Sequence, residues 1–311
     1  MNAKPFRSPG SLVLVLAGAV LWGTAGPASQ FLYDGTSTTP MAVAMLRMTL
    51  AAPLLLLIAA DGLRRDFRAL RARTPLVLIG GASIALYQVF YFQAVAVSGV
   101  TLATLTALCP VPVLVAVLAR GILGERATPI PWLGIALASA GTLLLVGAPE
   151  TDAPAADLAL GAALGLLASL SFAGIALSGR ALGDHHPPLA VTATLFTVGG
   201  VILLPVLLIQ PRAVGAAFGG WPLIAFLVVV PTVLAYALFY SGVGRTPAAV
   251  TGVVIVAEPL TASTLGWALL DETLAPVQLA GAALLCAAMV RAAWQENERK
   301  TAPGTQIGGR G

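Results

Sequence analysis

Ten stretches of this chain each run for about 20 residues with almost no charge, the length a helix needs to cross the hydrocarbon of a bilayer. They fall near residues 11–33, 40–60, 75–97, 101–120, 130–146, 158–180, 188–209, 221–241, 248–270 and 276–293. Backbone in lipid must satisfy its own N–H and C=O groups, so each stretch is read as a helix. The expected fold class is therefore all-α: a polytopic membrane protein with ten transmembrane helices. Composition agrees, with 17 Lys or Arg and 13 Asp or Glu among 311 residues and a mean hydropathy of +0.91. A soluble globule of this size would lack the polar residues to cover itself. The net charge of +4 does not point to nucleic acid, because the basic residues form no patch on a soluble domain.

Sorting the charges orients the chain. With ten spans, 15 of the 17 basic residues fall on the side of the N terminus, among them Lys4, Arg7, the cluster Arg64, Arg65, Arg68, Arg71 and Arg73, then Arg120, Arg180, Arg245 and Arg291. Only Arg212 falls on the other side, and Arg47 lies inside a span. Positive residues collect on the cytoplasmic face, so both termini are expected there, in a bacterial-type inner (plasma) membrane. Residues 1–10 then form a cytoplasmic N terminus, the acidic, Pro- and Ala-bearing segment 148–157 an external linker, and the basic, Gly-rich 295–311 a disordered cytoplasmic tail. His185 and His186 are expected in a solvated loop, and Cys109 and Cys286 are read as small buried hydrophobes.

The chain also repeats itself. At an offset of 147, residues 92–140 match 239–287 at 11 of 49 positions, including Thr104 with Thr251, Pro112 with Pro259, Glu125 with Glu272, Pro129 with Pro276 and Gly134 with Gly281. Shared Ala and Leu are cheap coincidences between apolar helices; a Pro, Glu, Pro, Gly order at constant spacing is not. A unit of five spans is odd, so its second copy enters the membrane from the opposite face. The expectation is two inverted five-helix repeats, residues 11–147 and 158–294, with a substrate site between them near mid-membrane.

The stretches that carry a resemblance are Pro110-Val111-Pro112-Val113 followed by Leu123-Gly124-Glu125-Arg126, and their partners Glu258-Pro259-Leu260 and Leu270-Asp271-Glu272-Thr273. Leu21-Trp22-Gly23 and Phe92-Gln93-Ala94 add to them. With these residues the chain resembles the drug/metabolite transporter superfamily, specifically its ten-helix EamA-type members, over residues 11–294. In its length and lack of charge it is similar to the YddG-type exporters of aromatic and other neutral amino acids. The resemblance implies a secondary transporter that exports hydrophobic or neutral amino acids by alternating access. A carrier of another metabolite, such as an organophosphate or nucleotide sugar, is the alternative. An intramembrane enzyme is disfavoured, since no HExxH, GxSxG or Walker A segment occurs. No cofactor and no metal site is expected. The expected partners are a small-molecule substrate, membrane lipid and, if transport is coupled, protons. Ten spans can enclose a complete site, so a monomer is expected.

Within the spans a few residues stand out. Arg47 and Glu258 are the deep charges, and such charges are costly enough to be functional candidates. Glu258 could bind a substrate ammonium or carry a coupling proton, or the two could form a structural pair. Pro112 and Pro259 each remove a backbone donor at matched places and are read as hinges or gates. Pro27, Pro53, Pro205 and Pro231 are read as static kinks. Trp22 lies too deep for an interfacial belt, while Tyr87 with Tyr91 and Tyr236 with Tyr240 are four apart on helical faces. With Gln93 these aromatics are the candidates to line a substrate cavity, the alternative being ordinary bundle core. Glu125 and Glu272 mark the repeat at helix ends and are read as caps or interfacial ion pairs. Gly161 and Gly165 form a GxxxG segment suited to close packing.

Overall fold

A computed structural model describes residues 10–124, 131–146, 154–183, 185–269 and 275–301. The described residues are helical, without strands. Among the described residues, eight helices are long and apolar enough to cross a membrane: α1 (Gly10–Gly35), α2 (Pro40–Ile58), α3 (Thr74–Gly99), α4 (Leu102–Ile122), α6 (Ala155–Gly183), α7 (Pro188–Ile209), α8 (Pro211–Val243) and α9 (Val250–Leu269). Two shorter apolar helices, α5 (Trp132–Val146) and α10 (Pro276–Ala292), occupy the positions of the fifth and tenth expected spans. Glu125 and Glu272 lie outside the described residues.

Local sequence explains the ends. Proline opens α2, α7, α8 and α10, where its missing N–H is an orphan in any helix. Thr39 caps α2 by accepting from the Ala42 N–H at 3.2 Å. α3 passes into α4 through Gly99, whose φ of 81° suits a residue without a Cβ. Large apolar side chains point outward from the bundle, with Leu57 76% and Leu208 82% exposed, as a lipid-facing surface requires. Trp132, Trp221, Trp267 and Trp294 are exposed near helix ends.

Helices pair across the two halves of the chain. α1 packs on α8 and α9, α6 packs on α3 and α4, and α2 meets α7, α4 meets α9 and α5 meets α10. Small residues permit the closest approaches: Gly161 and Gly165 of α6 face Ser98 and Thr106. Cys286 is exposed and Cys109 half-buried, so neither is the buried hydrophobe that its apolar run suggests.

Between α2 and α3 lies an amphipathic helix, Ala60–Ala72, with Arg64, Arg65 and Arg68 exposed and Leu70 buried. It overturns the expectation of a solvated histidine loop for His186, which is only 8% exposed. His186 donates from Nδ1 to the Asp66 carboxylate at 2.6 Å and ties this helix to the start of α7. His186→Ala strands Asp66 at that contact and is expected to cost about 1–3 kcal/mol. The check is a lower Tm in detergent; an unchanged Tm would assign the contact no structural weight.

Candidate functional site

Several helices of the bundle are broken where proline withholds a backbone donor. α1 breaks at Thr24, three residues before Pro27, and the Thr24 hydroxyl donates to the Leu21 carbonyl at 2.7 Å. α4 breaks at Cys109–Pro110 before Pro112, and α9 at Ile255–Val256 before Pro259, so the two matched prolines follow matched interruptions. α8 is wound as π-helix over Val229–Leu234, around Pro231. Proline there cannot supply the regular ladder hydrogen bond, and the wider turn accommodates the loss.

These breaks surround a cavity of about 550 Å³. Its deepest part is aromatic: Trp22 of α1, Tyr87 of α3, Phe172 of α6 and Tyr236 of α8. Trp22 lies 4.8 Å from Tyr236 and 6.0 Å from Phe172 between ring centroids, and Tyr87 lies 5.4 Å from Phe172. Arg47 enters from α2 and Glu258 from α9. Helix rise puts Glu258 about 16 Å from the far end of α9, near mid-depth. Gln88, Tyr91, Thr104 and Pro259 complete the inner wall, with the Tyr91 hydroxyl 3.0 Å from Thr104 Oγ1.

The cavity lining extends to the face that holds Gln30, Tyr33, Pro40 and Gln278, and none of it reaches the ends of the helices at Ser11 and Arg180. The opposite face, with Ser11 and Arg180, is shut. There a Cβ on Gly244 would sit 2.4 Å from the carbonyl carbon of Gly183, and one on Gly242 would sit 2.3 Å from the Ser11 carbonyl oxygen. The Arg180 guanidinium donates to the Gly244 carbonyl across the same seam.

Of the residues singled out from sequence, Trp22, Tyr87, Tyr91, Tyr236, Glu258, Arg47 and Pro259 meet at this cavity. Three do not. Gln93 is exposed on the far side of α3, about 200° around the helix from Tyr91. Tyr240 is 1% exposed and packs its ring 5.4 Å from Phe239, one turn below Tyr236. Pro112 is buried where α4 crosses Gly252 of α9. Sequence reading missed Tyr33, Gln88 and Phe172. It also missed Thr232, 1% exposed, whose hydroxyl donates to the Leu227 carbonyl at 2.7 Å and accepts from Arg47 Nε at 3.0 Å.

Arg47 and Glu258 do not form a contact ion pair. No hydrogen bond to the Glu258 carboxylate occurs among the described residues. The structural pair considered from sequence is therefore not formed. No group of His, Cys, Asp and Glu suited to a metal ion occurs among the described residues.

Comparison with known proteins gives the same architecture. A solved crystal structure superposes with a TM-score of 0.79 over 94% of this chain and 99% of its own, at 20% identity, which speaks to fold alone. The transporter YwfM of Bacillus subtilis (strain 168) is 29% identical over 297 residues, 93% of this chain and 96% of that protein. The threonine/homoserine exporter RhtA of Escherichia coli (strain K12) is 31% identical over 163 residues, 51% of this chain and 53% of that exporter. The model of the EamA-like transporter family matches residues 10–147 and 159–292. Matched along nearly its whole length in two successive segments, this multi-pass membrane chain belongs to the EamA-like transporter family.

Proposed function

We propose that the protein is a secondary transporter that exports neutral amino acids, aromatic ones favoured, across a bacterial-type inner membrane. The observation that carries this reading is the cavity: mid-bundle, floored by Trp22, Tyr87, Phe172 and Tyr236, with one cation and one anion deep in its wall. Such a surface suits a solute that is apolar at one end and carries both charges at the other. A phosphate ester would meet one cation, Arg47, and be repelled by Glu258, which disfavours the organophosphate alternative. The likeness to a threonine/homoserine exporter over half the chain supports amino-acid export.

Alternating access rests on the inverted repeat. Exchanging each helix with the one five places on leaves the pairings α1–α8 with α6–α3, α1–α9 with α6–α4, and α2–α7, α4–α9 and α5–α10 unchanged as a set. A two-fold axis in the membrane plane relating residues 11–147 to 158–294 has this property. If the arginine-rich face is cytoplasmic, the open cavity faces outward and the Gly183–Gly244 seam is the closed inner gate, with Pro112 and Pro259 at the hinges. Glu258 is then also the candidate carrier of a coupling proton. A single chain encloses the cavity, so a monomer suffices.

The test is flux of labelled amino acids in proteoliposomes, with and without a pH gradient. Saturable movement of neutral amino acids is expected. Clear organophosphate exchange with no amino-acid flux would sink the reading.

A further inference from the structure

We propose that Arg47 and Glu258 form a two-point clamp for the zwitterion itself: the guanidinium holds the α-carboxylate of an amino acid and the Glu258 carboxylate holds its ammonium. This rests on the amino-acid reading above and adds the chemistry by which such a substrate is recognised.

Both charges line one cavity at depth, yet they leave each other uncompensated by contact. Both are half-buried on the cavity wall, and a partly desolvated charge gains from a partner of opposite sign that can reach it. A solute with a carboxylate and an ammonium on the same carbon pairs both at once and adds no net charge.

Hydrogen bonding around Arg47 fixes which donors remain for a ligand. The Thr232 hydroxyl spends its proton on the Leu227 carbonyl, so toward Arg47 it only accepts, and it takes the Nε–H. One Nη2 hydrogen reaches the Pro231 carbonyl at a long 3.5 Å. The remaining Nη donors lie along the outer edge of the fork, the geometry that receives a carboxylate. The socket is a product of the π-wound segment Val229–Leu234, which brings the Pro231 carbonyl and the Thr232 hydroxyl to the same guanidinium.

On the other wall, Glu258 sits in the first turn of the helix Ala257–Leu269. An ionised carboxylate only accepts hydrogen bonds, and it receives none from the described side chains; an ammonium brings three donors. The same pair discriminates. A carboxylic acid without an amine meets Glu258 unshielded, and an amine without a carboxylate meets Arg47.

The experiment uses the full chain in proteoliposomes and two substrate series: L-phenylalanine and L-threonine, each with its carboxamide and its N-acetyl derivative. In the wild type, loss of either charge is expected to weaken apparent affinity at least about tenfold. Arg47→Gln is expected to erase the preference for the free acid over the carboxamide while keeping that over the N-acetyl form. Glu258→Gln is expected to do the reverse. If parent and derivatives move equally well in the wild type, the clamp is wrong while amino-acid transport stands. If no amino acid moves at all, both readings fall. The wild-type series needs no variant, so it decides the matter even where a variant fails to fold.

Discussion

Gly244→Val is expected to reduce transport to less than about a tenth of wild type, with the chain still folded, because it wedges the Gly183–Gly244 seam open. The atom responsible is the first one added. A Cβ on Gly244 lies 2.4 Å from the carbonyl carbon of Gly183 and 2.7 Å from its Cα. Both are backbone, so no rotamer relieves the clash, and α6 and α8 must separate. Gly244→Ala, which carries the same atom, is therefore expected to be impaired almost as severely as Gly244→Val. Overpacking of this kind typically costs about 1–3 kcal/mol. In a transporter the cost falls on the closed state of this face alone, biasing the bundle against it. The readout is labelling at Ser11→Cys, with Cys109 and Cys286 replaced. Ser11 is 3% exposed beside Gly242 in the closed seam. The introduced thiol is expected to be protected in the parent and reactive when Gly244 is enlarged. Unchanged protection with full flux would show that the Gly183–Gly244 contact is not the closure.

Length and apolar character make the spans legible in the sequence, because crossing hydrocarbon demands a continuous run and charge cannot hide in it. Depth is equally legible for Arg47, Glu258 and Trp22. The face of a helix is harder to judge, and Gln93 is the instructive case. Its neighbours in sequence recommend it, whereas successive residues turn about 100° around a helix. By that rule Gln88 lies about 60° from Tyr91 and about 100° from Tyr87, and it is Gln88 that lines the cavity. Tyr240 follows the rule and still misses, because four residues also mean a rise of about 6 Å and the cavity ends at Tyr236.

Other features depend on partners that no local pattern announces. His186 is buried because the amphipathic helix Ala60–Ala72 docks at the start of α7, 120 residues away in sequence. Pro231, read as a static kink, is the centre of a π-wound segment whose importance lies in what it presents to α2. The repeat is visible in sequence over residues 92–140, but Glu258 has Val111 as its counterpart and Arg47 no charged one. The two deep charges therefore do not follow the repeat that the sequence shows.

Thr232→Val tests whether that asymmetry was built for substrate. Valine keeps the volume and removes the hydroxyl, so Arg47 loses its Nε acceptor and the Leu227 carbonyl its donor. A hydrogen bond to a charged group contributes about 1.5–3 kcal/mol, or roughly 10- to 150-fold in an equilibrium constant. If Thr232 holds the guanidinium in register for a carboxylate, the loss appears mainly as weaker apparent affinity for the free amino acid. The carboxamide, which makes no ionic contact there, is expected to change little. Thr232→Ser restores the acceptor 185 residues away from Arg47 in sequence and is expected to recover most of the affinity. A purely structural hydroxyl would behave otherwise: Thr232→Val would lower Tm and reduce the transport of acid and carboxamide alike. The ratio of the two affinities, more than either alone, therefore separates a positioning residue from a packing one.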